Sequence, residues 1–293
     1  MGSSIAVVGP GAIGSTVAAY LHASGQPVLL CGRTPREHLD VRPDDAGPII
    51  VPGPVHTDPA DVAAPVDAVM LAVKATQIDD AGRWLTALCD EHTVVCVLQN
   101  GVEQVERVSP RCPRSRVVPA VVWMPAETQP SGWVWLRGQP RLTLPASSGL
   151  AADLLISAGC EVTLADDFTA AAWRKLLTNA VAGLMALTGR RSGMFGRDDI
   201  AELSRRYVAE GLAVARAEGA DLGDDVIEGI LAIIARTPED MGASILADRQ
   251  AGRPLEWDVL NGVILRKARR HGLSAPISEV VVPLLAAAGE GPG

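Results

Sequence analysis

The sequence predicts an α/β fold, with a doubly wound parallel sheet in its N-terminal part and an all-α domain after it. Short apolar runs of β type alternate with helical stretches over the first half of the chain. A glycine-rich turn joins the first of these runs to a helix, and β-type runs stop near residue 166. Short strands separated by helices are typical of a largely parallel sheet with helices on both faces.

The opening segment has the pattern of a βαβ unit. An apolar run, Ile5 to Val8, precedes the turn GPGAIG, a helical segment from Ser15 to Ala23 and a second apolar run, Val28 to Cys31. The turn matches the G-x-G-x-x-G pattern, whose glycines allow a tight turn, close approach of phosphates, and close helix–strand packing. Its N–H groups lie at the positive end of the helix dipole. We therefore expect a Rossmann domain in which a dinucleotide contacts Gly9, Gly11, Ala12, Ile13 and Gly14.

The end of the second strand indicates which dinucleotide is bound. Sites for NAD usually carry Asp or Glu there, about twenty residues after the glycines, to bind the ribose 2′-hydroxyl. This chain instead has Arg33 after Cys31 and Gly32, with Arg36 close behind. A guanidinium suits a 2′-phosphate, so the sequence favours NADP(H). The alternative is that Arg33 is a solvated loop residue.

Further elements complete the predicted sheet domain, which we expect to span residues 1–166. The stretch Trp133–Leu144 alternates around a Gly-Gln-Pro turn and predicts an antiparallel hairpin at the sheet edge. The remaining predicted strands are Ile49–Val51, Val66–Val73, Thr93–Leu98, Val117–Met124 and Glu161–Leu164, and the remaining predicted helices are Ile78–Asp90, Val102–Val108 and Leu150–Ala158.

The second predicted domain, residues 167–293, is helical throughout. Its first helix covers 167–188, with Asp167 as N-cap and Gly189 as its stop. Further helices are predicted at 198–218, 224–236, 239–250, 255–271 and 277–288, followed by a loose tail at 289–293.

Bulk composition narrows the possible functions. The 293 residues are 48% hydrophobic and 20% charged, with a net charge of −8, which suits a globular protein and argues against nucleic acid as a partner. No apolar stretch approaches the roughly 20 residues that cross a bilayer. The five cysteines are dispersed and the histidines form no ligand pattern. We therefore expect a cytoplasmic protein with reduced thiols and no metal.

Polar residues follow two of the predicted central strands. Lys74 comes after the run that ends at Val73, and Asn100 comes after the run that ends at Leu98. Ligands of open parallel sheets bind beyond the carboxyl ends of the strands, so either side chain could contact nicotinamide, ribose or substrate. A solvated lysine and a turn-forming asparagine are the alternatives.

The first helix of the second domain places a lysine beside an apolar face. Helical periodicity puts Trp173, Leu176 and Leu177 on one broad face, and Lys175 and Asn179 on its flank, with Gly183 one turn further. Partial desolvation lowers the pKa of a lysine towards the range useful for proton transfer. A lysine that only extends along the helix interface is the alternative.

A second polar group follows in the segments SILAD and LEWDVLNG. Ser244 and Asp248 share one helical face, and Gly252 and Pro254 interrupt the helix so that Glu256 falls in the first turn of the next one. A glutamate in that position could bind a substrate, or could serve only as a partner of the helix dipole.

Taken in order, GxGxxG, the strand-tip arginine, VKATQ, LQNG, WRKLLTN, SILAD and LEWDVLNG resemble the ketopantoate reductase family along nearly the whole chain. The resemblance implies an NADPH-dependent 2-dehydropantoate 2-reductase with a Rossmann domain and a helical domain. It implies that Lys175 protonates the carbonyl oxygen and that Glu256 engages a substrate hydroxyl and orients the lysine. The resemblance also assigns Ser244 to the substrate carboxylate, Asn179 to substrate, Lys74 and Asn100 to nicotinamide and substrate, and Arg33 to the 2′-phosphate.

One position departs from the family pattern. Members with ketopantoate activity carry a second asparagine one turn after the first, where this chain has Gly183. We expect that change to remove a polar contact and to enlarge the pocket, which could alter the preferred substrate. Three functions remain open: reduction of ketopantoate to pantoate, an NADP-dependent oxidoreductase for another 2-oxo or hydroxy acid, and a non-catalytic NADPH sensor. A homodimer is possible.

Overall fold

The computed structural model describes residues 3–62 and 64–290. The chain folds into two compact units, Met1–Phe168 and Thr169–Gly293. The first combines parallel β-structure with helices and the second is helical, as the sequence predicts.

A six-stranded sheet forms the centre of the first unit. Its strand order is β5-β2-β1-β6-β7-β8, and every neighbouring pair is parallel. β1 and β6 are fully buried, as expected of strands covered on both faces. The strands of this sheet are β1 (Ile5–Val8), β2 (Val28–Cys31), β5 (Val55–His56), β6 (Ala68–Leu71), β7 (Val94–Val97) and β8 (Arg116–Pro119).

Helices cover both faces of the sheet. Successive β1 residues point to opposite faces, so Ile5 and Val7 pack in one apolar cluster while Ala6 and Val8 pack in the other. The first cluster includes α1 and α4, and the second includes α2. The helices of this unit are α1 (Ala12–Ala23), α2 (Ile78–Leu88), α3 (Gln104–Val108) and α4 (Leu150–Ser157).

The first unit also contains two smaller sheets, and their strands differ from those predicted from the sequence. The predicted strand Val117–Met124 is two strands in different sheets, β8 and β9. The predicted hairpin Trp133–Leu144 is wrong, because β11 pairs with β10 and β3 whereas β12 pairs with β9 and β13. Alternation indicates which face of a strand is buried but not which strand pairs with it. The remaining strands are β3 (His38–Pro43), β4 (Ile49–Pro52), β9 (Val121–Trp123), β10 (Ala126–Thr128), β11 (Val134–Leu136), β12 (Arg141–Pro145) and β13 (Glu161–Ala165).

The second unit contains six α-helices among the described residues. The predicted helix 239–250 begins only at Ser244, because the carbonyls of Glu239 and Met241 accept hydrogen bonds from Gly193 and Ser192. Residues 291–293 of the predicted tail lie outside the described residues, and Gly289 ends the last helix. The helices are α5 (Phe168–Thr188), α6 (Asp198–Ala217), α7 (Asp225–Arg236), α8 (Ser244–Gln250), α9 (Val263–Arg270) and α10 (Pro276–Gly289), and a π-helical turn, Asp258–Gly262, precedes α9.

None of the helices in the described parts of the chain combines the length and the apolar character that crossing a membrane requires.

Candidate functional site

The glycine turn of the first unit leads into α1, whose first N–H groups have no capping side chain. Gly9 has φ +91°, and a Cβ there would lie 2.6 Å from the side chain of Val73. A Cβ on Gly14 would collide with the carbonyl oxygen of Gly9. α1 begins at Ala12, three residues earlier than predicted, with no capping side chain and no acidic residue in its first turn. Its unpaired N–H groups therefore fit an anionic phosphate.

The register of the central sheet brings four strand ends into one row. Cys31, Val8, Leu71 and Val97 are aligned across β2, β1, β6 and β7. Neighbouring strands lie about 4.8 Å apart, so the row extends over roughly 15 Å. The strand order reverses at β1, where ligands of doubly wound sheets bind.

Four sequence-predicted positions follow this row directly. Arg33 follows β2, the glycine turn follows β1, Lys74 follows β6 and Asn100 follows β7. An extended dinucleotide could therefore run from a phosphate at Arg33, across the glycine turn, to a nicotinamide beside Lys74 and Asn100. The structure thus brings these predicted cofactor residues to one edge of the sheet.

The two arginines after β2 differ in their surroundings. Arg33 is exposed, and its side chain makes no hydrogen bond or ion pair with any described residue. Arg36 is half-buried, and its carbonyl accepts a hydrogen bond from Val55 N at 2.9 Å. Arg33 therefore retains all its guanidinium donors for a ligand.

Gln99 is a residue whose contribution sequence reasoning missed. It is 5% exposed, and its Nε2 donates to the carbonyl of Val73 at 2.8 Å. Gln104 Nε2 donates in turn to the carbonyl of Gln99. These bonds tie the segments that carry Lys74 and Asn100 to each other. The sequence signal that could have identified Gln99 is a polar residue directly after an apolar strand.

In the second unit, α5 presents Lys175 and Asn179 as predicted. Trp173, Leu176 and Leu177 are each 2% exposed or less and form the buried face. Lys175 and Asn179 are half-buried on its flank. The helix ends at Thr188, where Gly189 has φ +69°, so the predicted stop is confirmed.

The expected enlargement of the pocket at Gly183 is wrong. Gly183 is buried, and a Cβ there would lie 2.9 Å from Nδ2 and 3.0 Å from Oδ1 of Asn261. The space beside the missing side chain is therefore filled by the amide of Asn261. Sequence reasoning missed Asn261, because 78 residues separate it from Gly183 in the chain.

The segment from Ser244 to Glu256 also belongs to the second unit. Ser244 is exposed at the start of α8, whereas Asp248 is 2% exposed and accepts a hydrogen bond from Arg253 Nε at 2.8 Å. Arg249 donates to carbonyls in the last turn of α5, which attaches α8 to that helix.

Glu256 lies directly before the helical turn that starts at Trp257, not inside its first turn as predicted. Glu256 occupies the N-cap position, because its carbonyl accepts a hydrogen bond from Leu260 N, and the π-helical turn Asp258–Gly262 follows. Glu256 is only 8% exposed. A carboxylate so deeply buried is unlike a solvated partner of a helix dipole, because carboxylates are rarely buried without specific partners.

Burial shifts the titration of two groups near these residues. It raises the pKa of Cys31, at the end of β2, to about 12. It likewise raises the pKa of Tyr207, which is hydrogen-bonded to Asn261, to about 12. Both groups are therefore neutral at physiological pH. The described residues include no group of three or more His, Cys, Asp or Glu side chains that could hold a metal ion.

Comparison with known proteins identifies similar sequences over both units. The model of the family described as "Ketopantoate reductase PanE/ApbA" matches residues 5–149. The model described as "Ketopantoate reductase PanE/ApbA C terminal" matches residues 167–289.

Individual proteins match over the whole chain. The 2-dehydropantoate 2-reductase of Mycobacterium tuberculosis is 64% identical, with 100% of both chains covered. That of Caulobacter vibrioides is 38% identical over 98% of this chain and 99% of its own. The solved structure of a dimeric ketopantoate reductase from Staphylococcus aureus is 28% identical, with a TM-score of 0.87 over 99% of this chain and 100% of its own.

Proposed function

Since this chain belongs to the ketopantoate reductase family, we propose that it reduces 2-dehydropantoate (ketopantoate) to pantoate with NADPH. The observation that carries the proposal is the 64% identity to a 2-dehydropantoate 2-reductase over the full length of both chains. The structure adds a strand-end row suited to a dinucleotide and a helix that carries a half-buried lysine. We divide the roles at residue 166, with cofactor binding before it and substrate binding and catalysis after it.

The residues of the first unit fit NADPH. The pyrophosphate would accept hydrogen bonds from N–H groups at Ala12, Ile13 and Gly14, where α1 has no capping side chain. The N–H of Gly11 already donates to the carbonyl of Gly9, so Gly11 would contribute open space for the phosphates. Gly9 and Gly14 allow the turn to pack tightly, because a Cβ at either position would collide with Val73 or with the carbonyl of Gly9. Arg33 would bind the 2′-phosphate with donors that no described residue uses. When bound, NADPH supplies the hydride.

In the proposed mechanism Lys175 is the general acid. It donates a proton to the carbonyl oxygen of the substrate, so that the product leaves as an alcohol and not as an alkoxide. A half-buried ammonium on the flank of an apolar face interacts more strongly with developing negative charge than a fully solvated one does. Glu256 accepts a hydrogen bond from a substrate hydroxyl and orients the lysine.

The remaining proposed contacts hold the substrate. Ser244 donates a hydrogen bond to the carboxylate of the substrate. Asn179, one turn after Lys175, contacts the substrate through its side-chain amide. Lys74 and Asn100 position the nicotinamide, with Asn100 also reaching the substrate. These interactions fix the carbonyl carbon relative to the hydride donor, which lowers the entropic part of the barrier.

The substitution Lys175→Ala tests the mechanism. We expect kcat for ketopantoate to fall at least ~10²-fold, because the transition state loses its proton donor. The Kd of NADPH, measured by fluorescence titration, should change less than about twofold, since the proposed cofactor contacts lie in the first unit. Arg174→Ala is the matched control: Arg174 is the exposed neighbour on the same helix, and its loss should leave kcat nearly unchanged.

A wild-type rate for Lys175→Ala would refute the assignment of the acid. The substrate is tested separately, by following NADPH oxidation with ketopantoate and a panel of other 2-oxo acids. A kcat/KM for another acid above that for ketopantoate would refute the substrate assignment, and tight NADPH binding without turnover of any acid would indicate a sensor.

We also propose that the enzyme is a cytoplasmic homodimer. A structural relative with a TM-score of 0.87 is described as dimeric. All five cysteines are free thiols, as is typical of a reducing compartment. Light scattering of the purified protein should give twice the 30.6 kDa mass of one chain.

A further inference from the structure

Asn261 joins three helical segments of the second unit through one side chain. It lies in the π-helical turn before α9 and is 0% exposed. Its Nδ2 donates to the carbonyl of Ala180 on α5 at 2.9 Å and to the hydroxyl of Tyr207 on α6 at 3.0 Å. Its Oδ1 is buried without a hydrogen-bond partner.

The amide of Asn261 lies over the α5 stripe that carries the proposed proton donor. Lys175, Asn179 and Gly183 are spaced four residues apart and therefore share one side of the helix. A Cβ on Gly183 would come within 3.0 Å of the amide. Glycine at this position is what allows the side chain of Asn261 to approach the backbone of α5.

The turn that contains Asn261 also follows Glu256 directly. The carbonyl of Glu256 accepts a hydrogen bond from Leu260 N at 3.2 Å, so the backbone of the turn is bonded to Glu256. π-helical turns within helices occur frequently at functional sites. A continuous bonded connection therefore runs from Glu256, through the turn and Asn261, to the backbone of α5 at Ala180.

We propose that Asn261 is a positioning residue for the reduction: its amide, placed over Gly183 and bonded to Ala180, sets the distance between Lys175 on α5 and Glu256 before the π-helical turn. This inference rests on the proposed function, which gives Lys175 and Glu256 their roles. Asn261 itself does not contact the reacting atoms.

The unpaired Oδ1 of Asn261 provides a way to distinguish a positioning role from a role in stability alone. A buried acceptor without a partner lowers stability, and leucine has the same branched side chain as asparagine, although it is larger, with no polar atom. If Asn261 served stability alone, leucine would alter stability and leave the kcat of the folded enzyme unchanged. If Asn261 is a positioning residue, leucine cannot form the bond to Ala180, and the distance between Lys175 and Glu256 changes.

The test is the substitution Asn261→Leu, with steady-state kinetics and melting temperature measured on the same preparation. We expect kcat for ketopantoate to fall about 10- to 100-fold, because a displacement of about 1 Å is sufficient for such a loss. KM for ketopantoate and Kd for NADPH should stay within about threefold of wild type. The melting temperature should stay within about 3 °C.

Gly183→Ala is the second variant, because its methyl group would push the amide of Asn261 away from α5. It should lower kcat in the same way. Gly229→Ala on α7 is its matched control, since a Cβ there meets no atom within 4 Å, and its kcat should equal that of wild type.

A wild-type kcat in Asn261→Leu would overturn the proposal, and so would a kcat that falls only in proportion to the folded fraction. Crystal structures of wild type and Asn261→Leu provide a readout that does not depend on the substrate. The separation between Lys175 Nζ and the Glu256 carboxylate should differ between them, and an unchanged separation would refute the role of Asn261. An inactive wild-type protein would refute the proposed function, while this separation would still test Asn261.

Discussion

In the first unit the candidate cofactor site is built from main chain, whereas in the helical unit the candidate catalytic residues are placed by other side chains. The glycine turn offers backbone N–H groups, and its geometry depends on the absence of Cβ atoms at Gly9 and Gly14. Lys175 lies on a helix that is held by the amide of Asn261 and by the guanidinium of Arg249. A site of the first kind is sensitive to added volume, and a site of the second kind is sensitive to lost bonds.

The strongest test of the main-chain site is Gly14→Ala. The added Cβ would collide with the carbonyl of Gly9, and backbone on both sides leaves little room for adjustment. We expect the free energy of unfolding to fall by about 3 kcal/mol and NADPH binding to be lost. Thermal unfolding should show a transition lower by roughly 6–10 °C.

Gly11→Ala is the matched control within the same turn, because a Cβ there meets no atom within 4 Å. Its stability should stay within about 0.5 kcal/mol of wild type. Its NADPH affinity should still fall, since the methyl group occupies space that the phosphates need. Equal stability of both variants would contradict the account of the turn given above.

This difference between the units also decides how much the sequence could predict. β1 and β2 were predicted with their observed bounds, because an apolar run and the glycine pattern are local features. The flank that carries Lys175 followed from helical periodicity, which is local as well. Asn261 could not be predicted, because its hydrogen bond to Ala180 spans 81 residues.

The errors have the same origin. The hairpin around Gly138 failed because each of its strands pairs with strands elsewhere in the chain. Glu256 was placed one position too far into its helix, because sequence patterns locate the end of a helix only to within one or two residues. Local patterns therefore identified the candidate residues, while tertiary contacts decided how those residues are held.

A smaller effect is expected where the first unit uses a side chain. Arg33→Ala should weaken NADPH binding about 10-fold, the loss expected from one exposed charge-assisted contact of about 1.4 kcal/mol. NADH binding should change little, because NADH lacks the 2′-phosphate. Titration with both cofactors measures the ratio of the dissociation constants for NADPH and NADH directly.

Arg114→Ala serves as the control for this prediction. Arg114 is an exposed arginine just before β8, at the opposite end of the strands from the cofactor row, so its loss should leave both affinities unchanged. Equal weakening of NADPH and NADH by Arg33→Ala would contradict the assignment of Arg33 to the 2′-phosphate.

The smallest effect concerns an ion cluster that packs the helical unit. Glu218 accepts hydrogen bonds from the buried Lys267 and contacts His271 Nε2 at 2.6 Å. Burial raises the pKa of Glu218, but the bonds from Lys267 and His271 outweigh it and hold that pKa below its ordinary value. Glu218→Gln should therefore lower the free energy of unfolding at pH 7 by about 1 kcal/mol.

The pH dependence of this difference follows from the direction of the shift. A carboxyl group whose pKa is depressed by folding stabilises the protein fully above its unfolded pKa, about 4.3 for glutamate. The difference between wild type and Glu218→Gln should hold from pH 7 down to about 5. It should then shrink as the pH falls through the depressed pKa.

The exposed pair of Glu228 and Arg205 gives the control, because Glu228→Gln removes only a solvated ion pair and should leave stability unchanged across this range. A Glu218→Gln difference that stayed constant down to pH 3 would show that packing, and not charge, accounts for the contribution of Glu218.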